Sequence, residues 1–417
     1  FNFFFFFFFF FLLFNLMGFF TLNVSMMFGL DLCSYGLVLL SFWICLLNMM
    51  VSMNYFNFNI FYMINNFVLL MILFLMFTNL NLFYFYIMFE SSLFPIILMI
   101  LGWGFQVDRI QSGIYLLFYT LIFSLPMLIC IMKIKIIMGV LFMNLIVNIN
   151  FFFIYFILML TFLVKMPIYL IHLWLLKAHT EAPLGGSMIL AGILLKMGGY
   201  GLIRIMKFMI YFNLKFNIIW IVISLIGGVY MSIMCIIQLD MKLLIACSSV
   251  VHMSLVISGL MTMSLLGFKG SYILMIGHGL SSSGLFIMVN CYYNMILSRN
   301  LMINKGMITM FPILSLWWFL LLTSNMATPP SLNLLGEISL FSVILNWSFL
   351  NLLLIIMMSF FSVVYSLYIF IFSQYGNYLS GIIFFLIGNF KDYLVFLMHW
   401  FPLNFLFLKL DFLFLVY

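Results

Sequence analysis

From end to end the chain divides into apolar stretches of about 20 residues, the length a helix needs to cross the hydrocarbon of a bilayer. The polar punctuation between them is short, and only 6% of the 417 residues are charged against 68% hydrophobic. Soluble domains carry roughly a quarter charged residues, so lipid rather than water solvates this sequence. In hydrocarbon every backbone polar group needs an internal partner, which restricts the chain to helices or a closed barrel. Stretches this long select helices. The expected fold is an all-α membrane protein, a polytopic helical bundle without a soluble domain. Thirteen spans are expected, at 1–20, 30–53, 60–78, 80–101, 112–133, 147–176, 185–208, 216–237, 243–263, 268–293, 308–346, 350–374 and 391–414. The first, beginning FNFFFFFFFFFLLF, lacks the basic flank and small-residue cleavage site of a signal peptide and reads as a retained helix.

Two of these spans are overlong and carry proline inside. Lys165-Met-Pro167 interrupts 147–176, and Thr328-Pro-Pro-Ser331 interrupts 308–346 shortly before Glu337. Proline removes a backbone donor and blocks the carbonyl four residues back. At membrane depth such broken helices belong to transport sites, where unwound backbone lines a wet cavity. The ionisable residue lies before the first break and after the second. That mirrored placement suggests two inverted repeats, 80–237 and 243–374, preceded by N-terminal spans over 1–79 and followed by a C-terminal span within 375–417. Membrane orientation stays open: the loop cations divide seven against six between the two faces, and such a count sets no direction.

The chemistry concentrates in a few residues at mid-span. Lys196 lies deep inside Ser187-Met-Ile-Leu-Ala-Gly-Ile-Leu-Leu-Lys-Met-Gly-Gly-Tyr200. An ammonium at that depth costs roughly 2.5–3.5 kcal/mol on the lenient insertion scale. A chain retains it where it faces a polar interior and moves or binds charge. Gly192, Gly199 and Tyr200 share its helical face, so small residues would let helices close around the amine and a hydroxyl would lie beside it. Glu90 and Lys165 are opposite central charges in the first half and are expected to pair, forming a switch that acts on Lys196. His252 and His278 sit in consecutive spans, with Ser281 and Ser282 on the face of His278, and imidazole passes protons near neutral pH. Glu337 would be the terminal carboxylate.

Blander readings fit the remaining polar residues. Lys177-Ala-His179-Thr-Glu181 reads as interfacial charge at a span end, and His399, beside Trp400-Phe-Pro402, as an interfacial anchor. His172 and His179 are seven apart with no third ligand, which makes a poor metal site. The six cysteines are isolated and read as buried small hydrophobes. No iron–sulfur, haem or zinc spacing occurs, so the chain is expected to hold no metal and no redox centre. The net charge of +7 comes from 15 Lys and Arg scattered singly, which is no nucleic-acid footprint.

The run Phe162-Leu-Val-Lys-Met-Pro-Ile-Tyr-Leu-Ile-His-Leu-Trp-Leu-Leu-Lys-Ala-His-Thr-Glu-Ala-Pro183, continuing through Gly186 to Gly201, closely resembles the chain 4 family of mitochondrial NADH–ubiquinone oxidoreductase, respiratory complex I. Glu90-Ser-Ser-Leu, Leu101-Gly-Trp-Gly104, Ile276-Gly-His-Gly-Leu-Ser-Ser-Ser-Gly284 and Pro330-Ser-Leu-Asn-Leu-Leu-Gly-Glu337 agree with it, and the likeness extends over nearly the whole chain from about residue 30. Phe 56 and Met 37 against five alanines is a bias toward AT-rich codons, similar to insect or other invertebrate mitochondria.

The resemblance implies an antiporter-like, proton-pumping subunit of the mitochondrial inner membrane, built from inverted five-helix repeats. By motif position Glu90 and Lys165 match the family's ion pair, Lys196 its central lysine, His278 its connecting histidine and Glu337 its terminal carboxylate. His252 joins them on the depth argument above. It further implies that NADH, FMN, iron–sulfur clusters and ubiquinone belong to partner subunits. Partners would be other membrane-arm subunits, neighbouring antiporter-like chains among them, and membrane lipid such as cardiolipin. Two departures stand out. The family typically has fourteen spans, so one N-terminal helix is expected to be missing here and the termini to lie on opposite faces. Leu176 also stands where proline is frequent. A free-standing cation/proton antiporter and a purely structural membrane-arm subunit are the rival readings.

Overall fold

A computed structural model describes residues 28–52, 59–146, 149, 151–377 and 390–409. The expected first span, 1–20, lies outside the described residues. Among these the chain is helical, with isolated bridges and no strand. In chain order the helices are α1 (Leu32–Ser52), α2 (Asn59–Thr78), α3 (Leu82–Trp103), α4 (Arg109–Met138), α5 (Phe152–Lys165), α6 (Leu173–Glu181), α7 (Leu184–Met206), α8 (Ile210–Ile237), α9 (Met241–Met261), α10 (Leu265–Ile296), α11 (Pro312–Asn325), α12 (Leu332–Trp347), α13 (Phe349–Gln374) and α14 (Phe390–Phe405). Among the described residues nine helices are long and apolar enough to cross a membrane alone. The others are short: α5 with α6 and α11 with α12 form two broken spans, and α14 follows at the C-terminal end.

Local chemistry explains where several helices start. Side chains of Asn81, Asp240 and Ser264 accept from the backbone N–H of Phe83, Lys242 and Gly267, capping α3, α9 and α10. Each satisfies one of the donors a helix start leaves without a partner. The breaks fall where the prolines stand, at 166–172 and 326–331. Each holds a non-glycine residue in the left-handed region, Leu170 at φ 85° and Ala327 at φ 58°. Such a conformation costs of order 1–3 kcal/mol and persists where surrounding packing imposes it, commonly at functional sites.

Burial is graded from outside inward. Over their most apolar eighteen residues, α7 and α10 are 100% and α9 94% buried, against 33% for α4 and α13. The three innermost helices are those carrying Lys196, His278 and His252. They are rich in glycine and serine, which lets backbones approach closely in a solvent as apolar as the side chains. One close approach places α5 against α7: a Cβ on Gly198 would come within 2.9 Å of the Met166 nitrogen and 3.0 Å of the Phe162 carbonyl oxygen. Both neighbours are backbone and cannot swing aside. Gly198→Ala should therefore destabilise the bundle by roughly 1–3 kcal/mol through overpacking, read as a lower thermal midpoint in detergent. Gly102→Ala, at a position with nothing within 4 Å, should leave that midpoint unchanged. Equal midpoints for the two variants would show that α5 and α7 do not need this contact.

Candidate functional site

The buried polar residues of the second half form one connected series. Lys196 is 0% exposed, and its Nζ donates to the Ala191 carbonyl and lies 3.0 Å from His278 Nδ1. The lysine can reach that carbonyl because Leu190–Leu194 winds as a π turn inside α7. A π turn shifts the hydrogen-bond register by one residue and leaves a carbonyl without its usual helical donor; such turns recur at functional sites. Gly279 gives the side chain room, since a Cβ there would sit 3.4 Å from Lys196 Cε and 3.1 Å from the Gly192 carbonyl oxygen.

From His278 the series continues into α9 and α12. The rings of His278 and His252 lie 5.5 Å apart, and His252 Nδ1 lies 3.4 Å from Glu337 Oε1. All three side chains are buried. Serines hold the helix around the first ring: Ser281 and Ser282 both donate to the His278 carbonyl, at 3.4 and 2.6 Å. Asn333, one turn before Glu337, donates to Ser281 Oγ at 3.4 Å and to the Ser324 carbonyl at 2.9 Å, tying both halves of the second broken span to α10.

The Lys196–His278 contact holds with its proton on either partner. An ammonium donates to a neutral imidazole, and a neutral amine accepts from a protonated ring nitrogen. A proton can therefore change owner there without side-chain movement.

In the first half the expected pair is open. Lys165 ends α5 and is buried; its Nζ donates to the Phe89 carbonyl at 2.7 Å and sits 3.1 Å from the centre of the Phe89 ring. Glu90 is the next residue, yet it forms no ion pair with Lys165, in contrast to Arg204 with Asp31 and His252 with Glu337. Both Glu90 carboxylate oxygens are buried without a protein hydrogen bond, although Glu90 and Lys165 are near enough for their charges to act on one another. The Phe89 carbonyl and ring occupy the amine in place of the carboxylate. Met166, directly after Lys165, packs on Gly198 and Gly199, so the first break rests against the helix of Lys196.

Three sequence readings change. Tyr200 does not serve Lys196: its hydroxyl donates to the Phe77 carbonyl at 2.9 Å and accepts from Arg204, which is also paired with Asp31. His399 is no interfacial anchor but fully buried, because α14 packs it against Gly284 of α10. The 177–181 cluster does close its helix, α6 ending at Glu181, but it is not interfacial throughout. Lys177 lies over the Tyr115 ring, whereas His179 is 0% exposed and stacked on Phe286 with ring centres 4.8 Å apart. The sequence reading missed His179. Half a bilayer is about 15 Å, or ten residues of helix, and that length counted from the end of the break reaches it.

Comparison with known proteins agrees with this architecture. The family described as NADH:quinone oxidoreductase/Mrp antiporter matches residues 79–362, and the amino terminus of NADH-ubiquinone oxidoreductase chain 4 matches residues 1–80. The chain is 52% identical over 394 residues to NADH-ubiquinone oxidoreductase chain 4 of Ceratitis capitata, covering 93% of this chain and 88% of that relative. It is 51% identical to the same-named chain of Aedes aegypti, covering 94% and 89%. In structure it resembles a chain of respiratory complex I from Thermus thermophilus with bound NADH, at TM-score 0.87 and 20% identity over 97% of this chain and 91% of that one. A chain of the Mrp complex from Dietzia sp. matches at TM-score 0.78 and 16% identity, over 86% of this chain and 69% of that one.

Proposed function

Because the chain belongs to the family of NADH-ubiquinone oxidoreductase chain 4, we propose that it moves protons across the mitochondrial inner membrane along the buried series Glu90, Lys165, Lys196, His278, His252 and Glu337. It is an antiporter-like subunit of the membrane arm of complex I, a multi-pass membrane protein. One observation carries the reading: from Lys196 to Glu337 each ionisable group touches or faces the next, wholly inside the bundle. A structural subunit would gain nothing from lining its three most buried helices with protonatable side chains, each costly in hydrocarbon.

In this reading Lys165 alternates between the Phe89 carbonyl, where it stands here, and Glu90. Closing the pair neutralises the charge facing Lys196 and lets that amine hold a proton; opening it drives the proton toward His278. The two breaks, 80–237 holding one and 243–374 the other, act as inverted repeats on either side of the relay. Redox chemistry, with NADH, FMN, iron–sulfur clusters and ubiquinone, belongs to partner subunits and supplies the driving force. Neighbouring antiporter-like chains and lipid such as cardiolipin cover the apolar outer faces, among them the α4 stripe of Ile114, Phe118, Ile122 and Ile129.

Glu90→Gln tests the switch. It should lower proton pumping by at least about tenfold in sealed vesicles, while the assembled enzyme keeps NADH oxidation by an artificial acceptor. Unchanged pumping would remove Glu90 from the pathway. An antiporter would also let a sodium gradient drive proton flux through the isolated chain, and no such flux is expected.

A further inference from the structure

The two breaks are held differently. In the first, the carbonyls around Pro167 find donors within the same broken span: the Met166 N–H reaches Phe162, the Ile168 N–H reaches Leu163, and the Trp174 indole donates to the Val164 carbonyl at 3.0 Å. In the second, Thr328 donates to the Thr323 carbonyl and Asn333 to that of Ser324, again within the span. The Pro330 carbonyl is held from outside. It precedes Ser331, the N-cap of α12, and so lies beyond the hydrogen-bond ladder of that helix. Its donor comes from α14: the Asn404 amide, turned to satisfy both its ends, donates to Pro330 at 3.0 Å and accepts from the Trp400 indole at 3.0 Å.

α14 is itself anchored. Pro402 has no N–H, so the Met398 carbonyl four residues back lacks its helical donor. Trp43 of α1 takes that place, its indole donating to Met398 at 3.1 Å. At Gly284 of α10 a Cβ would lie 3.3 Å from His399 Cβ and 3.2 Å from the side chain of Leu321 in α11, which leaves α14 little room to slide. The last helix therefore reaches the break as a fixed strap, and it sets Pro330 relative to α1 and α10. Glu337 follows Pro330 by about two turns of helix, with Asn333 between them tied to Ser281 of α10. The separation of 3.4 Å between Glu337 Oε1 and His252 Nδ1 is already at the outer limit for a hydrogen bond. A tilt of α12 that moved the carboxylate by about 1 Å would open that link, and a misplacement of this size can cost on the order of 100-fold in rate.

We propose that Asn404 is a positioning residue for pumping: by holding the Pro330 carbonyl it keeps α12 at the angle that leaves Glu337 within reach of His252. An asparagine suits the place because one amide offers a donor to the carbonyl and an acceptor to the indole. A leucine of similar size would fill the space and leave both partners unpaired. The inference rests on the pumping function proposed above.

The test uses the assembled enzyme in sealed vesicles, with the amount of this chain in the purified complex reporting assembly. Asn404→Leu should lower pumping roughly tenfold. Asn404→Asp keeps an acceptor for Trp400 but, ionised, offers no donor to Pro330, and should pump as poorly. Asn404→Gln carries the same donor and acceptor one methylene farther out and should recover most of the rate. A role in packing alone would not place glutamine above both leucine and aspartate. Pumping by Asn404→Leu at the rate of the unsubstituted enzyme, or equal losses in all three variants, would overturn the proposal. Should Asn404→Leu not assemble, the other two decide: a higher rate for Asn404→Gln than for Asn404→Asp supports the role, and equal rates overturn it. A Glu337→Gln enzyme that still pumps would sink the relay itself. An inactive Glu337→Gln beside a normal Asn404→Leu would remove only this role.

Discussion

Replacing Lys196 by alanine should cut proton pumping by roughly 100-fold or more while leaving the subunit in the membrane. The amine links the first half to the second, being in contact with His278 and fed from the side where Lys165 and the first break rest on its helix. Its removal leaves no unpaired charge behind, because its partners are a carbonyl and an imidazole that can stay neutral. Assembly should therefore survive, at the expense of a cavity beside Gly279. Lys196→Arg gives the sharper outcome. Guanidinium stays protonated in proteins, so arginine can fill the site and keep the charge yet cannot hand the proton on. It should pump nearly as poorly as alanine. If Lys196→Arg pumped normally in sealed vesicles, Lys196 would be a fixed charge and the relay wrong at its centre.

The axis was legible because hydrocarbon makes charge expensive. Lys165, Lys196, Glu90 and Glu337 stand out in the sequence by depth alone, and Pro167 just after Lys165 and Pro329-Pro330 upstream of Glu337 mark the breaks. Both breaks fall at those prolines, and the helices bearing Lys196, His252 and His278 are the most deeply buried. What sequence could not supply was register. The π turn at Leu190–Leu194 has no sequence mark, since its residues would suit an ordinary α-helix. Yet it is this turn that offers the Ala191 carbonyl to Lys196 and so sets where the amine points. The state of the Glu90–Lys165 pair was equally hidden. Opposite charges in one half predict that they can meet, and only the fold sets the amine on the Phe89 carbonyl instead.

Errors of depth came from treating a broken span as one rod. With the span ended at residue 176, His179 fell outside it and read as interfacial. A break spends residues without crossing much membrane, so the helix after Pro167 must run farther, and it does so to Glu181. His399 was misplaced for a related reason. Trp400 and Pro402 look like membrane-surface residues, but the close approach of α14 at Gly284 draws His399 into the bundle. Neighbouring residue types describe the lipid-facing side of a helix; its inner side depends on which glycine the partner helix offers.

Glu337→Gln should lower pumping by about 100-fold, and His252→Gln should do the same, but the two together should cost no more than the worse of them. Glutamine preserves the volume of Glu337 and removes the charge opposite His252 Nδ1, 3.4 Å away. His252 can then stay neutral, so no buried cation is stranded and the bundle should hold. If protons pass through both groups in series, losing either already closes the path, and the second substitution has nothing left to remove. Residues in contact along one network are expected to be strongly non-additive in this way, whereas independent sites add. NADH oxidation by an artificial acceptor serves as the control, because it reports partner subunits rather than this chain. Loss of that activity in step with pumping would mean failed assembly. Multiplied losses in the double variant, with assembly intact, would place Glu337 and His252 on separate routes and break the series at its last link.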